Sequence, residues 1–279
     1  MTTPLRRGRT LRARLLGYIT DATARLQAVW RILAGAQTAL LNALSSIRSG
    51  RRTGNAAGIR RITATFQRSL AAFDRAAAAF IERWATSDLP LIYREGAWQT
   101  LDHADQPQDT FTWTQRHRAA ITAASAQYYA DLTSRIQEAL RRARAFLRAV
   151  QAAARDTAAR FDPAALLAAH PLDAVIYGTN TRYPADAWAH AAITWQAVTT
   201  ANSGAARTAL DELGCEWLEV RDGAACGWLE HNDPDRANRT LRTVQDALAH
   251  PSAHPHCARE FLPRLDLIGR TEIRSGALL

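Results

Sequence analysis

Lysine is missing from these 279 residues, methionine occurs once and cysteine three times, at Cys215, Cys226 and Cys257. Every one of the 35 positive side chains counted as lysine plus arginine is therefore an arginine. An odd, widely spaced set of cysteines excludes a disulfide framework as the source of stability and suits a reducing compartment. No run approaches the ~20 apolar residues that cross a bilayer. The opening "MTTPLRRGRTLRARLLGYITDATARL" is basic, but Gly17, Thr20 and Asp21 interrupt its apolar patch, unlike the continuous core of a signal peptide.

What is present is a 47% hydrophobic, 22% charged chain with a net charge of +9 and a pI near 10.4. That composition describes one large or two ordinary globular domains. The charge attracts polyanions through a salt-sensitive field, so nucleic acid and acidic protein surfaces are the expected partners.

Three segments carry helical periodicity, with apolar residues recurring at steps of three, four or seven. The first runs through Leu15, Ile19, Leu26, Val29, Leu33, Leu40, Leu44 and Ile47. After the breaker "SGRRTGNAAG", the second runs through Ile59, Ile62, Phe66, Leu70, Phe73, Ala77, Phe80 and Trp84. The third joins Ile121, Ala124, Tyr128, Leu132, Ile136, Ala139, Ala143, Leu147 and Val150. These lengths predict long bundled or hairpin-paired helices. Between the second and third, Pro90 and the Glu95-Gly96 pair predict a small β-hairpin near residues 90–104.

Pro163 and Pro171 mark a change of character. "AVIYGTNTRYPADAW" predicts a strand, a tight turn and a helix opening near Pro184, running to about Glu212 and stopping at Gly214. "CEWLEVRDG" then alternates as a strand ending in an Asp-Gly turn. The expected fold is mainly α: a helical domain over 1–162, a small α+β module over 163–265 and a C-terminal tail over 266–279.

"AHPSAHPHCARE", residues 249–260, gathers His250, His254, His256 and Cys257. With Cys226 and His231 these are the donor types zinc prefers, and Cys226, His231, His254 and Cys257 are the candidate ligands of one structural ion. A Cys-x-x-Cys knuckle is absent, because Leu229 occupies its second position. Hydrogen-bonded histidines, a buried apolar cysteine or a Cys226–Cys257 pair answer the same pattern without metal. A Cys257 dyad with His254 or His256 lacks any identifiable oxyanion hole. His231, Asp233 and His254 resemble the residue set of metal-dependent HNH nucleases, although the proline in "HNDPD" favours a turn.

Arginine is clustered. Arg6, Arg7, Arg9, Arg12 and Arg14 form an N-terminal arm suited to phosphate contacts without base specificity. Arg48, Arg51, Arg52, Arg60 and Arg61 surround the first interhelical break. Arg141, Arg142, Arg144 and Arg148 crowd the third helix, where a solvated surface is the competing explanation.

The second half, read in order, resembles the C-terminal module of tailed-phage minor head proteins, the Mu F-like or head morphogenesis group. The matching residues are Tyr177, Gly178 and Tyr183, a helix over 185–212, Trp217 with Asp222, Cys226, and His254-Pro255-His256-Cys257 followed by Arg259. About 90 residues are covered. Many relatives carry Cys-x-x-Cys and Cys-Arg-Cys where this chain has Leu229 and Cys257-Ala258-Arg259. The resemblance implies a structural, non-enzymatic role: association with the portal and with capsid or scaffold proteins during assembly in the bacterial cytoplasm, residence in the virion, and contact with packaged double-stranded DNA. A metal-dependent nuclease and a stand-alone, non-specific DNA-binding protein are the competing functions.

Overall fold

A computed structural model of the chain describes residues 10–49, 56–156, 161–178, 181–222 and 238–270. It is mainly α with a small α+β portion, as the periodicity predicts. The helices are α1 (Leu11–Ser49), α2 (Ala56–Arg83), α3 (Leu89–His103), α4 (Gln115–Arg155), α5 (Pro163–Ala169), α6 (Ala185–Asp211) and α7 (Val244–Ala249). The strands are β1 (Ala174–Ile176), β2 (Arg182–Pro184), β3 (Trp217–Arg221), β4 (Leu241–Thr243) and β5 (Glu260–Pro263). Among the described residues, no helix is long and apolar enough to cross a membrane.

The chain groups into two compact units, one of residues 1–22, 83–128 and 190–279, the other of 23–82 and 129–189. This grouping does not follow a division at 162/163, because α1, α4 and α6 each contribute to both units.

In the second unit the three seams do what their spacing requires. Phe66, Leu70, Phe73, Ala77 and Phe80 of α2 are all buried. Phe73 packs on Trp30 of α1 with ring centroids 5.6 Å apart, Trp30 meets Trp188 edge-on at 6.0 Å, and Phe66 meets Phe146 of α4 at 5.5 Å. Such tilted and edge-on pairs add to the area the rings bury. Strands β1 and β2 form an antiparallel hairpin in which Val175 faces Tyr183. Asp162 caps α5 by accepting from the Ala165 amide, with Pro163 at the first helical position where its missing N–H costs nothing.

The first unit corrects the expected β-hairpin. Residues 89–103 are helix α3, joined to α2 through a π-helical turn at Trp84–Asp88. Pro90 lies in the first turn of this helix, a position that tolerates proline, and so belongs to a helix and not to a hairpin. Gly96 serves a helix crossing: a Cβ there would fall 1.8 Å from the Ala201 carbonyl oxygen of α6. Gly204 on α6 is its counterpart, since a Cβ would lie 2.1 Å from the Tyr93 carbonyl oxygen of α3. Both glycines let two backbones approach where no side chain fits.

The sheet of this unit is antiparallel in the order β4-β3-β5. Leu218, Val220 and Phe261 turn one face onto Ala206 and Ala209 of α6 and onto Val244 and Ala247 of α7, around buried Cys215. Trp217 packs on the other side with Leu241 and Leu267. Gly214, at φ +62°, ends α6 in the left-handed conformation glycine adopts at least cost.

Candidate functional site

The histidine-rich stretch closes onto the end of β3. In the antiparallel register Val220 faces Phe261 and Arg221 faces Glu260, so the next residues outward, Asp222 and Arg259, become neighbours. Both side chains are fully buried and the pair is bidentate: Arg259 Nε donates to Asp222 Oδ1 at 2.8 Å and Nη2 to Oδ2 at 3.1 Å. The third guanidinium nitrogen, Nη1, donates to the His250 carbonyl at 2.9 Å. Arginine's planar fork suits this arrangement, which satisfies two charges that would otherwise be costly to bury.

Asn202 of α6 ties the stretch from beneath, its Nδ2 donating to the carbonyls of Pro251 at 2.7 Å and Arg259 at 2.9 Å. Within the stretch, the Cys257 amide donates to the His254 carbonyl at 2.9 Å, and the His256 amide to His254 Nδ1 at 3.2 Å. His256 stacks on His190 with ring centroids 5.9 Å apart. His250 Nδ1 meets Asp246 Oδ1 at 2.9 Å. On the far side of the junction, the Asp222 amide donates to Asn238 Oδ1 at 3.0 Å.

Glu260, the next residue along, points the other way. Its Oε2 accepts from the backbone amide of Leu11 at 3.0 Å and from Gln99 Nε2 at 2.8 Å, binding β5 to the start of α1 and to α3. Adjacent residues thus hold two different joints of one unit.

Two members of the candidate zinc set, His254 and Cys257, are described. Buried Cys257 directs Sγ toward Asp222 Oδ1 at 3.9 Å, beside the Arg259 guanidinium, and His254 Nδ1 is occupied by the His256 amide. Among the described residues, no group of three or more His, Cys, Asp or Glu side chains is placed to hold an ion. Cys226, His231 and Asp233 lie outside the described residues.

The remaining motif residues fall in two groups. Trp217, Asp222, His256 and Arg259 belong to the first unit, as described. Tyr177 and Gly178 belong to the second, where the Tyr177 hydroxyl accepts from Trp188 Nε1 at 3.0 Å, its ring meets Tyr183 at 5.5 Å, and Arg135 lies over its face at 4.5 Å.

One member of the arginine arm, Arg14, is placed otherwise than expected. Arg6, Arg7 and Arg9 lie outside the described residues; Arg12 is exposed on the first turn of α1. Arg14 turns inward, 13% exposed, with Glu95 at 3.5 Å and a hydrogen bond to Asp102. Its charge is neutralised inside the fold and does not belong to a phosphate-contacting arm.

A second polar centre lies among α3, α4 and the end of α6. His117 is wholly buried, with Nδ1 2.8 Å from the Tyr93 hydroxyl and Nε2 3.5 Å from Glu212 Oε1. Burial lowers the His117 pKa, opposed by Asp211 and Glu212, and burial raises that of Tyr93. Trp113 stacks on Tyr93, and Phe111 lies against both Trp113 and His117. Neither His117 nor Asn202 stands in a short motif, so their partners emerge only with the fold.

No family model, curated protein or solved structure matches the chain.

Proposed function

We propose that this chain is a structural, non-enzymatic minor head protein of a tailed phage. In this reading it binds the portal and the capsid or scaffold interior during assembly in the bacterial cytoplasm, stays in the virion, and contacts packaged DNA without sequence preference. The carrying observation is that the ordered pieces behind the resemblance, Trp217, Asp222 and the His254–Arg259 element, meet at one sheet through the bidentate Asp222–Arg259 pair. A buried, fully bonded arginine and carboxylate serve a joint better than a reaction, because neither is open to a substrate. The +9 net charge supports the DNA contact.

The test is co-expression with a tailed-phage portal protein from the genome that encodes the chain, followed by affinity capture of the full chain. Co-purification at fixed stoichiometry is expected, and its loss in Arg259→Ala would tie capture to the joint. Absence of capture, together with divalent-ion-dependent nicking of plasmid DNA that His254→Ala abolishes, would replace this reading with the nuclease built on His231, Asp233 and His254. Duplex DNA binding without portal capture would favour a stand-alone DNA-binding protein.

A further inference from the structure

From Ala139 to Arg155, α4 contains five arginines and no acidic residue. Arg142 turns inward and donates to the carbonyls of Pro171 and Ala174 at 2.6 and 2.9 Å. The other four, Arg141, Arg144, Arg148 and Arg155, are exposed. Counted from Arg141 they stand at steps of three, seven and fourteen, which places them in one stripe about 60° wide and about 21 Å long. The stripe lies away from the buried seam of Ile136, Ala139, Ala143, Leu147 and Val150. Arg141 pairs with Glu138; Arg144, Arg148 and Arg155 have no carboxylate within ion-pair reach among the described residues.

Helix α2 repeats the pattern. Arg61, Arg68 and Arg75 recur every seven residues, are exposed, and lie opposite the Phe66, Phe73 and Phe80 seam. No acid occurs from Ala56 to Phe73. The Phe66–Phe146 contact sets the acid-free part of α2 level with that of α4, so Arg61 and Arg68 flank the same layer as Arg144 and Arg148.

We infer that the exposed arginine stripe of α4 is a docking surface for the phosphate backbone of double-stranded DNA. The inference rests on the DNA-contacting part of the proposed function and moves that contact from the N-terminal arm to the second unit. A continuous helix presents charges at fixed pitch, which suits a rigid, regularly charged partner. Guanidinium groups match phosphate oxygens bidentately. Ala145, Gln151 and Ala152 border the stripe, so it has none of the aromatic platforms on which single-stranded bases stack. Contact with phosphates alone gives no sequence preference.

The experiment is fluorescence anisotropy of the full chain with a labelled mixed-sequence duplex of about 30 base pairs over a salt series. The variants are Arg144→Glu/Arg148→Glu/Arg155→Glu, the same three positions changed to Gln, and Arg6→Gln/Arg7→Gln/Arg9→Gln. Thermal melts show which are folded, and the Gln set decides if the Glu set is not. Stripe variants are expected to lose at least about tenfold in affinity near 100 mM salt, with the slope of log K against log salt falling by roughly 2 to 3. The arm variant is expected to lose less. Wild-type binding that the stripe variants retain in full overturns the inference alone. A wild-type chain that binds no duplex overturns both the inference and the DNA part of the function. Stripe variants that keep duplex binding but lose portal capture, or lose only duplex RNA, assign the surface to that other partner and overturn it as well.

Discussion

Glu260 Oε2 stands 3.0 Å from the backbone nitrogen of Leu11, joining residues 249 positions apart. A carboxylate at a helix start satisfies an amide that has no partner within the helix and meets the positive end of the helix dipole. Gln99 Nε2 holds the same oxygen from α3. Glu260→Ala is expected to lower stability by about 1 to 2 kcal/mol. Glu260→Gln, which keeps an acceptor oxygen, is expected to cost less. Urea denaturation of both measures the difference, and equal losses would show that packing and not the helix start is what Glu260 supports.

The Asp222–Arg259 pair should be far more sensitive. Removing one member leaves the other charge buried, so Arg259→Ala and Asp222→Ala are each expected to cost about 3 to 5 kcal/mol. The double variant should cost much less than the sum, because neither charge is then left without its partner. Additive losses in the double-mutant cycle would mean that the two groups do not act as a pair.

Gly96→Ala places a carbon where the Ala201 carbonyl oxygen stands, and the obstacle is backbone, not a mobile side chain. A loss of about 3 kcal/mol or more is expected. Gly178→Ala, whose added carbon meets nothing within 4 Å, is the control and should stay within about 0.5 kcal/mol. Comparable melting temperatures for the two variants would refute the close crossing of α3 and α6.

His117 predicts a pH dependence. Its folded pKa is depressed by burial, while in the unfolded chain it titrates near the ordinary value of about 6.5. The unfolded state therefore takes up the proton first as pH falls. The contribution is complete above that value and is lost progressively below it, at no more than about 1.4 kcal/mol per pH unit. Asp211 and Glu212 work against the depression and narrow the window, and Arg207 on α6 works with it. Urea midpoints at several pH values for the wild type and His117→Phe test this. The variant should lose stability less steeply on acidification, and parallel profiles would assign the acid sensitivity elsewhere.

The closing stretch is held by hydrogen bonds that require no ion. Treatment with a zinc chelator is therefore expected to leave the melting temperature unchanged. A clear fall on chelation, with about one zinc per chain by elemental analysis, would assign Cys226, His231, His254 and Cys257 as a metal set.

Much of the fold was legible because long seams repeat one signal many times. Phe66, Phe73 and Phe80 announce a buried face whatever covers it, and the strand at "WLEVR" alternates over its own length. Residues 89–103 were misread because Pro90 and Gly96 are ambiguous symbols. Proline marks either end of a helix, and glycine marks either a turn or a close backbone approach; only α6, about a hundred residues later, distinguishes them. The candidate site was half legible. "HPHCARE" identified a closing element near Asp222, but rarity drew attention to the histidines and the cysteine, whereas the central bonds are made by Arg259, one of many arginines. Register, not composition, sets it opposite Asp222.

The hydrogen bond between the Asp222 amide and Asn238 Oδ1, with the backbone pairing of Val220 to Arg239 and Thr240 beside it, clamps the two chain ends that bracket residues 223–237. The two ends therefore open as one: Asn238→Ala is expected to speed hydrogen exchange at the Val220 and Arg239 amides as well as at Asp222.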